Sequence, residues 1–322
     1  MMENKYPMSS VPNYKDVLSA HERIKKQILK TPVLSSSSIN KITGASLFFK
    51  CENFQKVGAF KFRGASNAVL QLSNEQKIKG VATHSSGNHA AALALAAKKS
   101  GVKAYVVMPE NAPEIKKKAV KSYGAEITFC KPTLEARENT LQELIKQTGA
   151  VFIHPYDNAQ IVSGQATAAF ELLQEYKDLD IVMAPVGGGG LISGTAIAAK
   201  AFNSKIKVFA AEPEMADDAY RSFKSGILLP SVNPNTIADG LRTSLSELTF
   251  KIISDKVDNI LTVSEESIIN AMRLIWERMK IIIEASSAVP LAAVLEHPLI
   301  FKDKKTGIIL SGGNVDLENL PF

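Results

Sequence analysis

Short apolar runs alternate with longer amphipathic stretches along most of this chain. Val81–His84, Ala104–Met108, Ile127–Cys130, Val151–His154, Ile181–Val186, Val208–Ala211 and Ile308–Leu310 read as strands. Asn88–Lys99, Leu134–Lys146 and Leu191–Phe202 carry helical periodicity between them. Leu47–Phe49 reads as a further short strand, and Ser35–Ser38 as a loop. At the front, Tyr14, Val17, Leu18, Ile24 and Ile28 share one face of a helix expected over Tyr14–Leu29, which Thr31-Pro32 stops. Such alternation predicts an α/β fold with largely parallel, twisted sheets flanked by helices. Residues 80–155 carry a βα series of their own. They are expected to form a small domain inserted in a large one made of 1–79 and 156–322.

Composition adds little to this picture and removes several function classes. The 322 residues are 45% hydrophobic and 22% charged, as in an ordinary soluble protein. The net charge of +6 is spread out, and its longest run, Lys116–Lys118, suits a solvated helix face. No basic-aromatic interleaving suggests base stacking, so no nucleic acid partner is expected. Cys51 and Cys130 stand apart and form no CxxC pair, which fits a reducing compartment without zinc. The N-terminal segment lacks an apolar signal region, and no window reaches the roughly 18 apolar residues of a membrane helix. A cytoplasmic protein that does not engage membranes is the expectation.

Gly187, Gly188, Gly189 and Gly190 lie between a strand and a helix. Backbone amides in such a turn, with the helix N-terminus behind them, favour an anion. One reading is a dinucleotide site of a nicotinamide-dependent dehydrogenase, with Glu212 at the end of the next strand as the ribose ligand, although Ser193 stands at the third fingerprint position. Another is a cup for a single phosphate. A plain tight turn is the third, and four glycines are an entropically costly way to build one. A P-loop is excluded, because no GxxxxGK[ST] occurs.

Three further constellations carry chemistry. Lys61 lies between Phe60 and Phe62, in surroundings that weaken its charged form and suit a Schiff base. Most such lysines, however, only cover apolar neighbours with their stems. His84-Ser85-Ser86-Gly87-Asn88-His89 opens a helix after a strand, where a carboxylate binds well or Ser86 or Asn88 simply caps. Ser311-Gly312-Gly313-Asn314 follows the last strand, at a place where α/β ligand sites form.

VGAFKFRGA around Lys61, SSGNHA, PVGGGGLISG and LSGGNVD occur in the order found in fold-type II pyridoxal-phosphate enzymes. From Thr31 to Asp316 the chain resembles the branch that holds serine racemases and the threonine and hydroxyaspartate dehydratases. The resemblance implies a two-domain, tryptophan synthase β-like fold and an amino-acid substrate. It makes Lys61 the Schiff-base lysine and Gly187–Gly190 the phosphate cup. Phe60 lies near the cofactor ring, Asn88 at its 3′ oxygen and Ser311 at its pyridine nitrogen. A serine there leaves the ring a weaker electron sink than a carboxylate does, which favours loss of a β-hydroxyl or return of a proton to Cα.

By the same resemblance Lys61 and Ser86 exchange protons on the two faces of Cα. Ser85, Gly87, Asn88 and His89 hold the α-carboxylate. Arg137 and Thr243 lie near a second carboxylate, with Arg242 beside them. The carboxylates of Glu212 and Asp218 and the carbonyl of Ala216 resemble a divalent-cation site, whose oxygens suit Mg²⁺, Ca²⁺ or Mn²⁺. A homodimer is implied. So is an ATP activator site at Lys56, Ser36, Ser37, Tyr123 and Asn314, but Val57 and Ala91 replace polar contacts there. No regulatory domain is expected after Asp316. Together these readings imply serine racemisation with serine β-elimination. A threo-3-hydroxyaspartate or threonine dehydratase is the alternative.

Overall fold

The computed structural model describes residues 10–85, 87–112 and 114–322. Among the described residues ten strands form two sheets: β1 Val33–Leu34, β2 Ser46–Cys51, β3 Val81–His84, β4 Ala104–Pro109, β5 Glu126–Cys130, β6 Val151–Phe152, β7 Ile181–Pro185, β8 Lys207–Pro213, β9 Asn259–Val263 and β10 Lys305–Leu310. The larger sheet runs β1-β2-β10-β7-β8-β9, and all its pairs but β1–β2 are parallel. The smaller sheet runs β5-β4-β3-β6 and is parallel throughout.

Parallel strands need crossovers, and helices fill them on both faces. That is why β7 is buried at every position and reads as an unbroken apolar run. One face of the larger sheet packs against the helices Ala159–Glu175 and Gly190–Phe202, the other against Ala285–Glu296. The smaller sheet lies between Asn88–Lys99 and Leu134–Thr148. No helix among the described residues is long and apolar enough to cross a membrane.

Local chemistry moves several boundaries. The first helix ends at Ile24, short of Leu29. The Gln55 side chain takes both backbone groups of Leu29, at 2.9 and 2.8 Å, and pulls the chain out of helix. Ser36 accepts from the Ile39 amide and caps a helix over Ser37–Thr43 where a loop was expected. The β9 strand escapes the apolar pattern because its run is short and follows a charged helix end. In β6 only Val151–Phe152 pair with a neighbouring strand. The His154 imidazole accepts from the amides of Tyr156 and Asp157 and curls the chain away.

Candidate active site

The carboxyl ends of parallel strands leave a crevice where ligands bind in open α/β sheets. Here β2 leads into the loop before Lys61, β7 into Gly187–Gly190, β10 into Ser311–Asn314 and β3 into Ser85–Asn88. Ladder-like contacts join two of these loops, those after β2 and β10. The Phe60 amide donates to the Ser311 carbonyl at 3.0 Å, and the Gly313 amide to the Gly58 carbonyl at 2.9 Å. Ala59 and Gly312 form an isolated antiparallel bridge.

Lys61 opens the helix Lys61–Leu70. Its Nζ donates to the Pro155 carbonyl at 3.3 Å and lies 5.1 Å from the centre of the Phe60 ring. Burial lowers its amine to about 8, with Glu284 opposing. Three imidazoles sit nearby. Burial takes His84 down to about 4, His154 to about 3 and His89 well below its usual value. All three are neutral at physiological pH, so none puts a competing charge beside the amine.

The residue after Pro155, Tyr156, covers the glycine loop. A Cβ on Gly188 would lie 2.3 Å from its ring, so Gly188 has no room for a side chain. Gly189 has φ +86° and caps the helix Gly190–Phe202 without a side-chain bond. The first amides of that helix are therefore left for an external anion. The buried hydroxyls of Ser193 and Thr195 have no partner either.

On the opposite wall, Gly87 caps the helix Asn88–Lys99, again without a side-chain bond. Its amide donates to the Ser85 Oγ at 3.3 Å. Ser86 lies outside the described residues. His89 reaches this loop through its backbone alone. Its Nε2 faces the Ile153 carbonyl at 3.2 Å and must carry the proton, which leaves Nδ1 an acceptor unable to bind a carboxylate.

Asn88 donates from Nδ2 to both oxygens of Glu284, at 2.9 and 3.1 Å, and its Oδ1 accepts from Asn314 Nδ2 at 2.9 Å. Sequence reasoning misses Glu284. Its only signal is a lone carboxylate directly after three isoleucines, Ile281–Ile283. Burial, with Asp239 adding to it, pushes the Glu284 carboxyl up to about 7.

Glu212 is turned onto its own loop and does not face a ribose. It accepts from the amides of Ala219 at 3.0 Å and Tyr220 at 2.8 Å. Asp218 is fully buried, and neither of its oxygens has a hydrogen bond of normal geometry. Burial pushes Asp218 up to about 6. Burial first, and then Asp218, push Glu212 well above the usual carboxylate range. Ala216 is buried in the turn between them. Two mutually repelling carboxylates, of which Asp218 has no hydrogen bond of normal geometry, suit a hard divalent cation.

Arg137 lies on the helix Leu134–Thr148, and its buried Nε has no partner. Thr243 is exposed and its hydroxyl meets the Tyr156 phenol. Arg242 does not join them. Its guanidinium is turned to the Thr236 carbonyl, 2.8 Å from Nε, so it is removed from any second-carboxylate site.

The model of the family described as "Pyridoxal-phosphate dependent enzyme" matches residues 24–312. A serine racemase from Dictyostelium discoideum is 54% identical over 98% of both chains. A beta-hydroxyaspartate dehydratase from Paracoccus denitrificans is 50% identical over 97% of this chain and 99% of its own. The crystal structure of the Dictyostelium discoideum racemase superposes with a TM-score of 0.92, covering 96% of this chain and all of that one.

The cleft fits the cofactor of that family. A desolvated lysine amine, uncapped helix amides behind a glycine loop, and the Phe60 ring beside the amine supply a carbonyl-reactive group, an anion cup and an apolar wall. The dehydrogenase reading has no such use for Lys61 and loses Glu212 to its own loop. The chain belongs to the pyridoxal-phosphate dependent enzymes.

Proposed function

We propose that the protein interconverts L- and D-serine and also removes water from serine to give pyruvate and ammonia. The observation that carries this reading is Lys61, one partly desolvated amine set where the strand ends converge among neutral imidazoles. The relatives named serine racemase and beta-hydroxyaspartate dehydratase support it.

When bound, the cofactor draws electrons from Cα of the amino acid joined to it. Lys61 holds it through Nζ, Gly187–Gly190 hold its phosphate, and Ser311 meets its ring nitrogen without charging it. Phe60 would support the ring, and Asn88 would meet the 3′ oxygen by turning an N–H away from Glu284. The Ser85 hydroxyl and the backbone of Gly87, Asn88 and His89 orient the α-carboxylate, the Ser85 amide being taken by the Val107 carbonyl at 3.2 Å. Lys61, once its Nζ is released by the incoming amino group, would accept the Cα proton, and burial favours its neutral form. Ser86 exchanges a proton on the other face. Return of a proton to that face inverts Cα, and departure of the β-hydroxyl gives elimination.

Glu212, Asp218 and the Ala216 carbonyl bind Mg²⁺, with Ca²⁺ or Mn²⁺ as substitutes. Residues 80–155 act as a small domain on the body formed by 1–79 and 156–322, in a cytoplasmic homodimer. A cavity of about 620 Å³ includes Val57, Ala91, Lys116, Tyr123 and Asn314 in its wall. Val57 and Ala91 leave ATP fewer partners there.

One observation favours a second reading. The unpartnered Arg137 Nε suits a substrate with a second carboxylate, such as threo-3-hydroxyaspartate. Chiral product analysis with serine, threonine and both hydroxyaspartates decides. D-serine formed from L-serine supports the first reading. Turnover of hydroxyaspartate alone replaces it with the second.

A further inference from the structure

Beneath Lys61 lies a network of four buried charges. Arg63 and Lys50 supply two cations, Glu52 and Glu171 two anions, and no more than 4% of any of them is exposed. Arg63 Nε and Nη2 clasp Glu52 at 2.7 and 2.8 Å. Nη1 and Nη2 clasp Glu171, both at 2.8 Å, and Nη1 also donates to Thr167 at 3.1 Å. All five guanidinium N–H groups are thereby used. Lys50 completes the ring through Glu171 and the Thr31 carbonyl, both at 2.7 Å, and Thr31 donates to Glu52 at 2.5 Å.

These residues come from separate elements. Lys50 and Glu52 belong to β2 and its end, Arg63 to the helix Lys61–Leu70, and Thr167 and Glu171 to Ala159–Glu175. The same two helices touch backbone to backbone. A Cβ on Gly64 would lie 2.8 Å from the Ile161 carbonyl, and one on Gly164 would lie 2.6 Å from the Gly64 Cα. The helix Lys61–Leu70 has no side-chain cap, so its first turn is held from below.

A buried ion network is weak evidence of stability, because apolar side chains of similar volume often do as well. Its distinctive property is direction. Two forked carboxylates fix where a guanidinium sits and how it is rotated. Residues two apart on a helix point about 200° from each other. With Arg63 fixed in the core, Lys61 is turned towards the cleft.

We propose that Arg63, held by Glu52 and Glu171, is a positioning residue that sets the rotation of the helix start and thereby the place of the Lys61 amine. Apolar packing at Gly64 and Gly164 fixes how closely the helices approach. The charge network fixes the angle. The inference rests on Lys61 being the cofactor lysine.

Arg63→Lys keeps the charge but offers three donors for five. The holoenzyme of this variant is expected to fold and to retain a borohydride-stable cofactor bond at Lys61 by mass spectrometry. Its visible absorption, titrated without substrate, is expected to shift its pH midpoint. Its kcat is expected to fall about 100-fold, the scale of a small misplacement, with KM little changed. Thr31→Val removes one outer bond, Thr167→Val removes the bond from Arg63 and one to the Gly164 carbonyl, and both keep all four charges. They are expected to shift the same midpoint less. If Arg63→Lys is recovered only as aggregate, the threonine variants decide: a shifted midpoint in either supports the proposal, and unshifted midpoints in both overturn it. A folded Arg63→Lys with wild-type midpoint and kcat also overturns it. Failure of the wild-type chain to form the Lys61 bond would refute the cofactor assignment instead.

Discussion

Asn88 presents one amide group to both oxygens of Glu284, at 2.9 and 3.1 Å, and so joins the helix after β3 to the chain before Ala285–Glu296. The carboxyl it bridges is raised from 4.5 to about 7, chiefly by burial. A raised carboxyl contributes stability below its unfolded value and loses it as pH rises through the folded one. The window is therefore pH 4.5 to about 7. Urea unfolding of wild type and Glu284→Gln at both ends of that window is expected to differ, with only the wild type losing stability through this group. The difference is at most roughly 3 kcal/mol. Equal pH slopes would remove Glu284 as the titrating group.

Gly188→Ala places a methyl 2.3 Å from the Tyr156 ring. Either the ring or the phosphate loop must move, and overpacking of this kind costs about 1–3 kcal/mol. Cofactor affinity measured by fluorescence titration is expected to drop about 5- to 150-fold. The double variant Gly188→Ala/Tyr156→Ala is expected to recover part of the loss. No recovery would locate the strain elsewhere.

Asp218→Asn removes one of two facing carboxylates. In chelator, the variant is expected to melt higher than the wild type, because the Glu212–Asp218 repulsion is gone. On adding Mg²⁺ only the wild type is expected to rise, in the concentration-dependent way of a bound ligand. A variant that responds to Mg²⁺ as the wild type does would place the cation at other ligands.

Ser86→Ala is expected to lower racemisation of L-serine by about 100-fold or more, the range of a lost acid or base. Pyruvate formation, which begins at Lys61, is expected to fall less. Chiral chromatography alongside a pyruvate assay reads both. Equal losses would mean that one face serves both reactions.

The strand ends and the glycine loop were readable because backbone need writes itself into residue type. Four glycines before Leu191 and a lysine between two phenylalanines mark the places, and the order of the motifs chooses among their readings. Glu284, Arg63 and Glu171 were not readable that way. Each is an ordinary charged residue whose meaning comes from a partner far along the chain, as with Arg63 and Glu171 at 2.8 Å. Arg242 is the converse case. Its place beside Thr243 suggested a substrate contact, but the Thr236 carbonyl captures its guanidinium. The β9 strand, Asn259–Val263, is harder to read because its apolar run is broken by Thr262 and opens on the polar Asn259.

The strand β10 lies in the middle of the larger sheet, paired on one side with β2 and on the other with β7, although it follows both by a long stretch of chain. A ribosome that has delivered everything up to Phe301 has therefore made two strands with their shared neighbour still missing. Both expose unpaired edges until residues 305–310 emerge, and such edges invite pairing with other chains. Ser311 and Asn314 come later still. Assembly of the catalytic cleft therefore waits for these residues, and slow elongation ahead of them would lengthen exposure to aggregation and to chaperones.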